Sequence, residues 1–220
     1  MYKNITLRDW QEMNKPINEL IVQASIIDGS SRNENFEFSI GMNHSYIRLS
    51  PEKRQQSQIG KHDKLVLSAM QTRTDRRRRG SSNINRTIIL NTITKNGIKN
   101  INLIPEIYFD TLGEYKFIIS PEGNGIDCHR HYEAIISGCI PIIEENAFMR
   151  HKYRDLPILY TKNYSEITNE YLEKKYDEMI DKKYDFSNLF ITNYDNKNKE
   201  LIKKFSNFWC MKTQKKKFYD

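Results

Sequence analysis

Between residues 64 and 160, short apolar runs alternate with amphipathic stretches, and the spacing of the apolar positions changes accordingly. Leu65, Val66 and Leu67 read as a short buried strand. The stretch 70–82 is basic and ends in Gly80, Ser81 and Ser82, which reads as a loop. Residues 83–96 predict a helix with Ile84, Ile88 and Leu90 facing inward, closed by Gly97. Residues 101–104 predict a second strand, and Pro105 opens a short helix that runs through Leu112. The apolar run 115–120 predicts a buried strand, 121–126 a glycine-rich turn, and 127–137 a helix with Asp127 as N-cap and Gly138 just past its end. Further strands are predicted at 139–143 and 156–160. Helices follow at 165–180, carried by Ile167, Tyr171, Leu172, Met179 and Ile180, and at 197–211. Such alternation predicts an α/β fold, a Rossmann-like parallel sheet with helices on both faces, whose ligands sit at the carboxyl ends of the strands.

The first third is less regular. Residues 19–27 and 36–40 are strand-like, the latter because Phe36, Phe38 and Ile40 alternate with polar residues. Residues 55–63 are polar and contain Gly60, which predicts a boundary. The expected organisation is a short, incomplete N-terminal region over 1–62, a Rossmann-like domain over 63–212, and a solvated, frayed basic tail over 213–220.

Composition narrows the function. The chain has 220 residues, 38% of them hydrophobic, with 13 Tyr and 10 Phe, enough for a packed core. No apolar run approaches the roughly 18 residues of a membrane span, and the first ten residues lack the apolar stretch of a signal peptide. Three cysteines are too few for a disulfide framework, so a reducing compartment is expected, the cytoplasm of a cell or of a host cell. A net charge of +7 favours an anionic partner: nucleic acid, a phosphorylated metabolite or an acidic membrane. Much of the excess lies in Arg76–Arg79 and in residues 215–217.

The chemistry-bearing string runs from Ser120 to Pro141. It joins a strand, a loop containing Gly123, Asn124 and Gly125, a helix opening near Asp127, His129 and Arg130, and a second strand. Glycines allow close backbone approach to a phosphate, and a helix N-terminus offers free N–H groups and partial positive charge. A cation in the first helical turn is unfavourable unless an anion faces it, which singles out Arg130. Glu133 lies one turn on, near the same face.

The string Ser120, Pro121, Gly123, Asn124, Gly125, Asp127, Cys128, His129, Arg130, Glu133, Ala134, Gly138, Cys139, Ile140 and Pro141 resembles the donor-binding region of exostosin-like glycosyltransferases. The resemblance implies a GT-B transferase whose C-terminal domain binds a nucleoside-diphosphate sugar and passes the sugar to an acceptor hydroxyl on a glycan or glycoprotein. It implies metal-independent and inverting chemistry, and no Asp-x-Asp metal motif occurs in the chain. Residues 123–125, His129 and Arg130 would face the diphosphate, Glu133 the ribose or sugar, and an arginine from the 73–79 loop, such as Arg73 or Arg79, would neutralise the leaving group. Ser120 and Asp127 belong to the same expected site, and no cofactor is expected beyond the donor itself.

Competing readings remain. Cys128, His129, His131 and Cys139 lack zinc-site spacing. No helix-turn-helix, zinc-finger or RNP signature accompanies the arginine run, which ranks nucleic acid below a nucleotide ligand. His44 is the one candidate general base ahead of the donor domain, with a loop histidine as its alternative. A complete N-terminal Rossmann domain needs upward of about 100 residues, so the region over 1–62 implies a shortened microbial or viral member, a partner subunit that completes the acceptor side, or a binding module without turnover.

Overall fold

The computed structural model describes residues 2–26 and 36–220. The chain opens with β1 (Lys3–Thr6) and α1 (Leu7–Glu12), the helix starting where the Thr6 hydroxyl accepts from the Asp9 amide. Two 3-10 turns, Ile17–Glu19 and His44–Arg48, and α2 (Pro51–Gln56) complete the N-terminal region. Then come β2 (Lys64–Leu67), α3 (Arg76–Arg79), α4 (Arg86–Lys95), α5 (Pro105–Leu112), β3 (Tyr115–Ile119), α6 (His129–Ile136) and β4 (Ile140–Glu144). The chain continues through α7 (Ala147–Lys152), β5 (Leu159–Thr161), α8 (Asn169–Met179), β6 (Lys183–Asp185), two further 3-10 turns and α9 (Asn196–Gln214).

β2, β3, β4 and β5 form one parallel sheet in that order, with Val66 opposite Phe117, Phe117 opposite Ile140 and Ile142 opposite Leu159. Helices flank it, which makes the architecture Rossmann-like α/β. The two central strands read as continuous apolar runs because they are covered on both faces: Phe117, Ile118, Ile119, Ile140 and Ile142 are wholly buried. No helix among the described residues is long and apolar enough to cross a membrane.

The N-terminal region joins the same core. β1 pairs antiparallel with β6. Trp10 is fully buried, stacks on Phe186 at 4.0 Å and donates its indole N–H to the Ile135 carbonyl at 2.7 Å. Gln11 reaches the carbonyl of Gly138 at 2.9 Å. Gly138 follows α6 at φ +76°, and a Cβ there would lie 2.7 Å from Gln11 Cγ. Glycine is therefore needed twice, for the left-handed turn and for the approach of α1. Leu7, Trp10, Leu20, Ile21 and Val22 belong to one buried cluster with the sheet residues, and residue 62 does not divide that cluster.

Several local expectations change. Residues 19–27 make only single bridges, Leu20 to Phe190 and Val22 to Met42, because Gln23 turns left-handed at φ +50°; residue 27 lies outside the described residues. Residues 36–40 form no ladder, although Phe38 and Ile40 are buried. Residues 101–104 form no strand, and Ile101 and Ile104 are exposed. The expected loop over 70–82 contains α3. The helix over 83–96 is α4, phased by Asn85, whose side chain accepts from the Thr87 and Ile88 amides. That phase buries Arg86, Ile89 and Ile93 in place of Ile84 and Ile88. The tail is not frayed: Asn207 Oδ1 accepts from the Phe218 and Tyr219 amides, and the Tyr219 hydroxyl donates to the Leu20 carbonyl at 2.6 Å.

Candidate functional site

A cavity of about 1070 Å³ opens where the chain leaves the carboxyl ends of β2 and β3. Small-molecule pockets run from about 300 to 1,000 Å³, so this one has room for a nucleotide with further groups attached. The segment after β2 contributes Ala69, Met70 and Arg73, and the segment after β3 contributes Gly123, Asn124 and Gly125.

The loop between β3 and α6 is held from behind. Ser120, wholly buried, contacts His131 Nδ1 at 2.7 Å. The His131 Nε2–H points to the Ile126 carbonyl at 3.3 Å, so Nδ1 accepts from the Ser120 hydroxyl. Ser120 therefore supports the loop and does not line the cavity. Asp127 is not the N-cap of α6; that position falls to Cys128, and the helix begins at His129. The Asp127 carboxylate instead accepts from the Ile40 amide at 3.0 Å and the Tyr153 hydroxyl at 2.8 Å, with Lys152 Nζ 3.4 Å away. It fastens the N-terminal segment to the glycine loop.

Arg79 departs furthest from expectation. It is 7% exposed and does not line the cavity. Its guanidinium meets Glu144 at 2.7 Å, Asp75 Oδ2 at 3.1 Å and the Glu122 carbonyl at 3.1 Å. Glu144 in turn accepts the Glu122 amide at 3.0 Å, and Arg78 pairs with the Glu122 carboxylate. This buried network shapes the backbone just ahead of the glycine loop, which is what Arg79 does in place of meeting a phosphate.

Three other arginines face the cavity: Arg73, Arg86 and Arg130. Arg73 is exposed. Arg86, 4% exposed, donates to the carbonyls of Pro121 (2.7 Å), Glu122 (2.8 Å) and Gln71 (3.0 Å). A Cβ at Gly123 would lie 3.1 Å from Arg86 Nη2, a tight fit where the guanidinium packs against the loop. Arg130 donates to the Ala69 carbonyl at 3.0 Å, lies over the Tyr108 ring, and has a buried Nε–H with no partner among the described residues. Burial and the positive charge of Arg130 both pull the Arg86 guanidinium below its ordinary proton affinity. Two like charges thus converge on one cavity, each bonded to carbonyls and, among the described residues, with no carboxylate in an ion pair with it, an arrangement that an anion relieves.

Glu133 is 4% exposed and accepts the Asn43 amide at 3.0 Å. Burial pushes its carboxyl up to about 7, against the opposing pull of the Asn43 amide, the Arg130 charge and the Tyr108 hydroxyl. No Glu133–Arg130 ion pair forms among the described residues. His129 lines the cavity but supplies no charge: its Nδ1–H donates to the Gly41 carbonyl at 2.7 Å, and burial lowers the ring to about 4. His44, half-buried, also lines the cavity, with its ring Nδ1 3.1 Å from Gln23 Oε1.

The cavity thus gathers Arg73, Gly123, Asn124, Gly125, Asp127, His129, Arg130, Glu133 and His44, and leaves out Ser120 and Arg79. Arg86, Tyr108, Asn43 and Gln23 were not anticipated. Arg86 carries the same signal as Arg130, a cation in the first turn of a helix, and was legible by that rule. Among the described residues no group of three or more His, Cys, Asp or Glu side chains is placed to hold a metal ion. Burial raises the Cys128 thiol to about 11, which keeps it protonated. No protein-family model matches the chain, and no curated protein matches it.

Proposed function

We propose that the chain is a glycosyltransferase of the exostosin-like kind, taking a sugar from a nucleoside-diphosphate sugar to an acceptor hydroxyl with its own cations in the role that a metal plays elsewhere. The observation that carries this reading is the convergence of Arg73, Arg86 and Arg130 on the cavity beside the 123–125 loop and the start of α6. A diphosphate accepts from guanidinium groups and from the N–H donors of a helix start, and Arg130 brings its guanidinium to the cavity from the first turn of α6. The leaving diphosphate gains charge as the sugar departs, so donors already in place stabilise that transition state more than the ground state. In this reading Glu133, which holds the Asn43 amide, accepts from a ribose or sugar hydroxyl.

Calorimetric titration with UDP, GDP and a short oligonucleotide tests the reading. Saturable binding of one nucleotide, lost in Arg130→Ala and weakened in Glu133→Gln, is the expected result. Binding of the oligonucleotide alone, steeply weakened by salt, would sink it and favour a phosphate-backbone partner. Hydrolysis of a panel of nucleotide sugars then separates a transferase from a module that only binds.

A further inference from the structure

The cavity has a second wall. Gln23, Ser25, Asn43, His44 and Ser45 line it from the N-terminal region, and Trp209 and Thr213 line it from α9. Hydroxyl and amide groups beside an indole suit a polyhydroxylated ligand, which offers both hydrogen-bonding groups and apolar ring faces.

His44 opens the 3-10 turn that Asn43 caps, with Asn43 Oδ1 accepting from the Ser45 amide. The backbone N–H of His44 donates to Gln23 Oε1 at 2.9 Å, and its ring Nδ1 lies 3.1 Å from the same oxygen. A backbone N–H is a donor in every protonation state, so the Gln23 atom that meets it must be the oxygen; the reversed amide would set donor against donor. The Gln23 amide nitrogen turns to Ser25 Oγ at 3.1 Å. An oxygen that only accepts requires a proton on Nδ1, and the lone pair of neutral His44 is then on Nε2. Gln23 is 8% exposed and holds φ +50°, a left-handed conformation unfavourable for a non-glycine residue. The Gln23 amide to the Met42 carbonyl at 2.8 Å helps hold it there.

Burial and the Arg48 charge keep the His44 ring below its ordinary proton affinity. The other titratable groups around it are His129 at the start of α6 and, along the cavity, Glu133, Tyr108, Arg130 and Arg73. The ring is therefore neutral at pH 7, as a proton acceptor must be.

From this geometry we infer that Gln23 and His44 form an acceptor-hydroxyl subsite, in which Gln23 positions the imidazole and His44 Nε2 receives the proton of a polyhydroxylated acceptor. The inference rests on the donor reading above. In the step, the acceptor oxygen forms a bond to the anomeric carbon while the bond from that carbon to the β-phosphate oxygen breaks. The electron pair of the broken bond leaves with the nucleoside diphosphate, beside the arginines, and the hydroxyl proton passes to His44 Nε2. Both walls of the site then come from one chain, and no second subunit is needed to supply the base.

Three measurements test this on the whole chain. Nitrogen-15 NMR of the imidazole reads the tautomer without any ligand, and the Nδ1–H form is expected. Gln23→Leu should release that preference and lower kcat while nucleotide affinity stays unchanged; Gln23→Glu should restore the tautomer and move the acid limb of kcat/KM to higher pH. His44→Gln should bind nucleotide as the parent does and lose about 10²–10⁴-fold in kcat. An Nε2–H tautomer in the parent, or turnover indifferent to His44→Gln with nucleotide binding intact, overturns the subsite. A parent that binds no nucleotide overturns the donor reading instead, and the subsite with it.

Discussion

Glu133 gives the sharpest test of the site's electrostatics. Its carboxyl sits at about 7 in the folded chain against an ordinary value of 4.5, burial being the main cause. The folded state therefore holds this proton more tightly than the unfolded state does. Stability from this group is present below about pH 4.5, declines as pH rises, and is gone above about pH 7. The gap between 4.5 and about 7 corresponds to about 3 kcal/mol at about 1.4 kcal/mol per pH unit. Glu133→Gln keeps an acceptor for the Asn43 amide and removes the titration. At pH 8 the variant should be more stable than the parent by up to about 3 kcal/mol, or roughly 6–12 °C in Tm for a chain of this size. At pH 5, where the parent carboxyl is protonated, the difference should shrink to about 1 kcal/mol or less. Thermal unfolding at the two pH values, without nucleotide, reads both numbers. A Tm change of the same size and sign at pH 5 and pH 8 would falsify the reasoning, because only an ionisable carboxyl makes the difference pH-dependent.

Other perturbations separate structural from functional arginines. Arg79→Ala leaves Asp75 and Glu144 buried without their cation and should cost about 3–5 kcal/mol in urea unfolding. Arg73→Ala, at an exposed residue, should change stability by no more than about 0.5 kcal/mol while weakening nucleotide binding in calorimetry. Gly138→Ala forces a side chain into φ +76° and against Gln11, and should lower the urea midpoint by the equivalent of about 1–3 kcal/mol. Lys15 is buried, with its ammonium drawn down to about 7, so the unfolded state binds more protons between about pH 7 and 10.5. Parent stability from this group should rise across that window, and Lys15→Met should flatten the rise in urea midpoints measured at pH 7, 8.5 and 10.

The sheet was legible in the sequence because its inner strands are short apolar runs bounded by turn residues, and 115–120 and 139–143 differ from β3 and β4 only at their ends. The helix that opens at Pro105 was legible for the same local reason, a residue that fixes φ at the first turn. What stayed hidden depends on partners distant in sequence. The phase of α4 follows from burying Arg86, and a periodicity that counts arginine as polar turns the helix the wrong way. Nothing near Asp127 announces Tyr153 or the Ile40 amide, so a good capping residue was read as a cap. At the site, residue types on the glycine loop were informative, because the stretch of cavity wall they build is contiguous in sequence. The division of labour among arginines was not, since four identical neighbours in α3 differ only in what the folded chain places beside each.

The pairing of β1 with β6 also bears on how the chain reaches this structure. Lys3 lies opposite Asp185, so β1 finds its partner strand only after most of the residues that follow it here have been made. At about 5–20 residues per second, the wait is roughly ten seconds or longer. Throughout that interval Trp10 lacks Phe186 to stack on and α1 lacks its finished socket. Until then the nascent segment around β1 and α1 is aromatic and unpaired, of the kind that holdase chaperones cover. A circular permutant of residues 1–220 that begins at an exposed turn would place the two strands close in synthesis order, and it should refold faster than the unpermuted 1–220 chain without any change to the cavity.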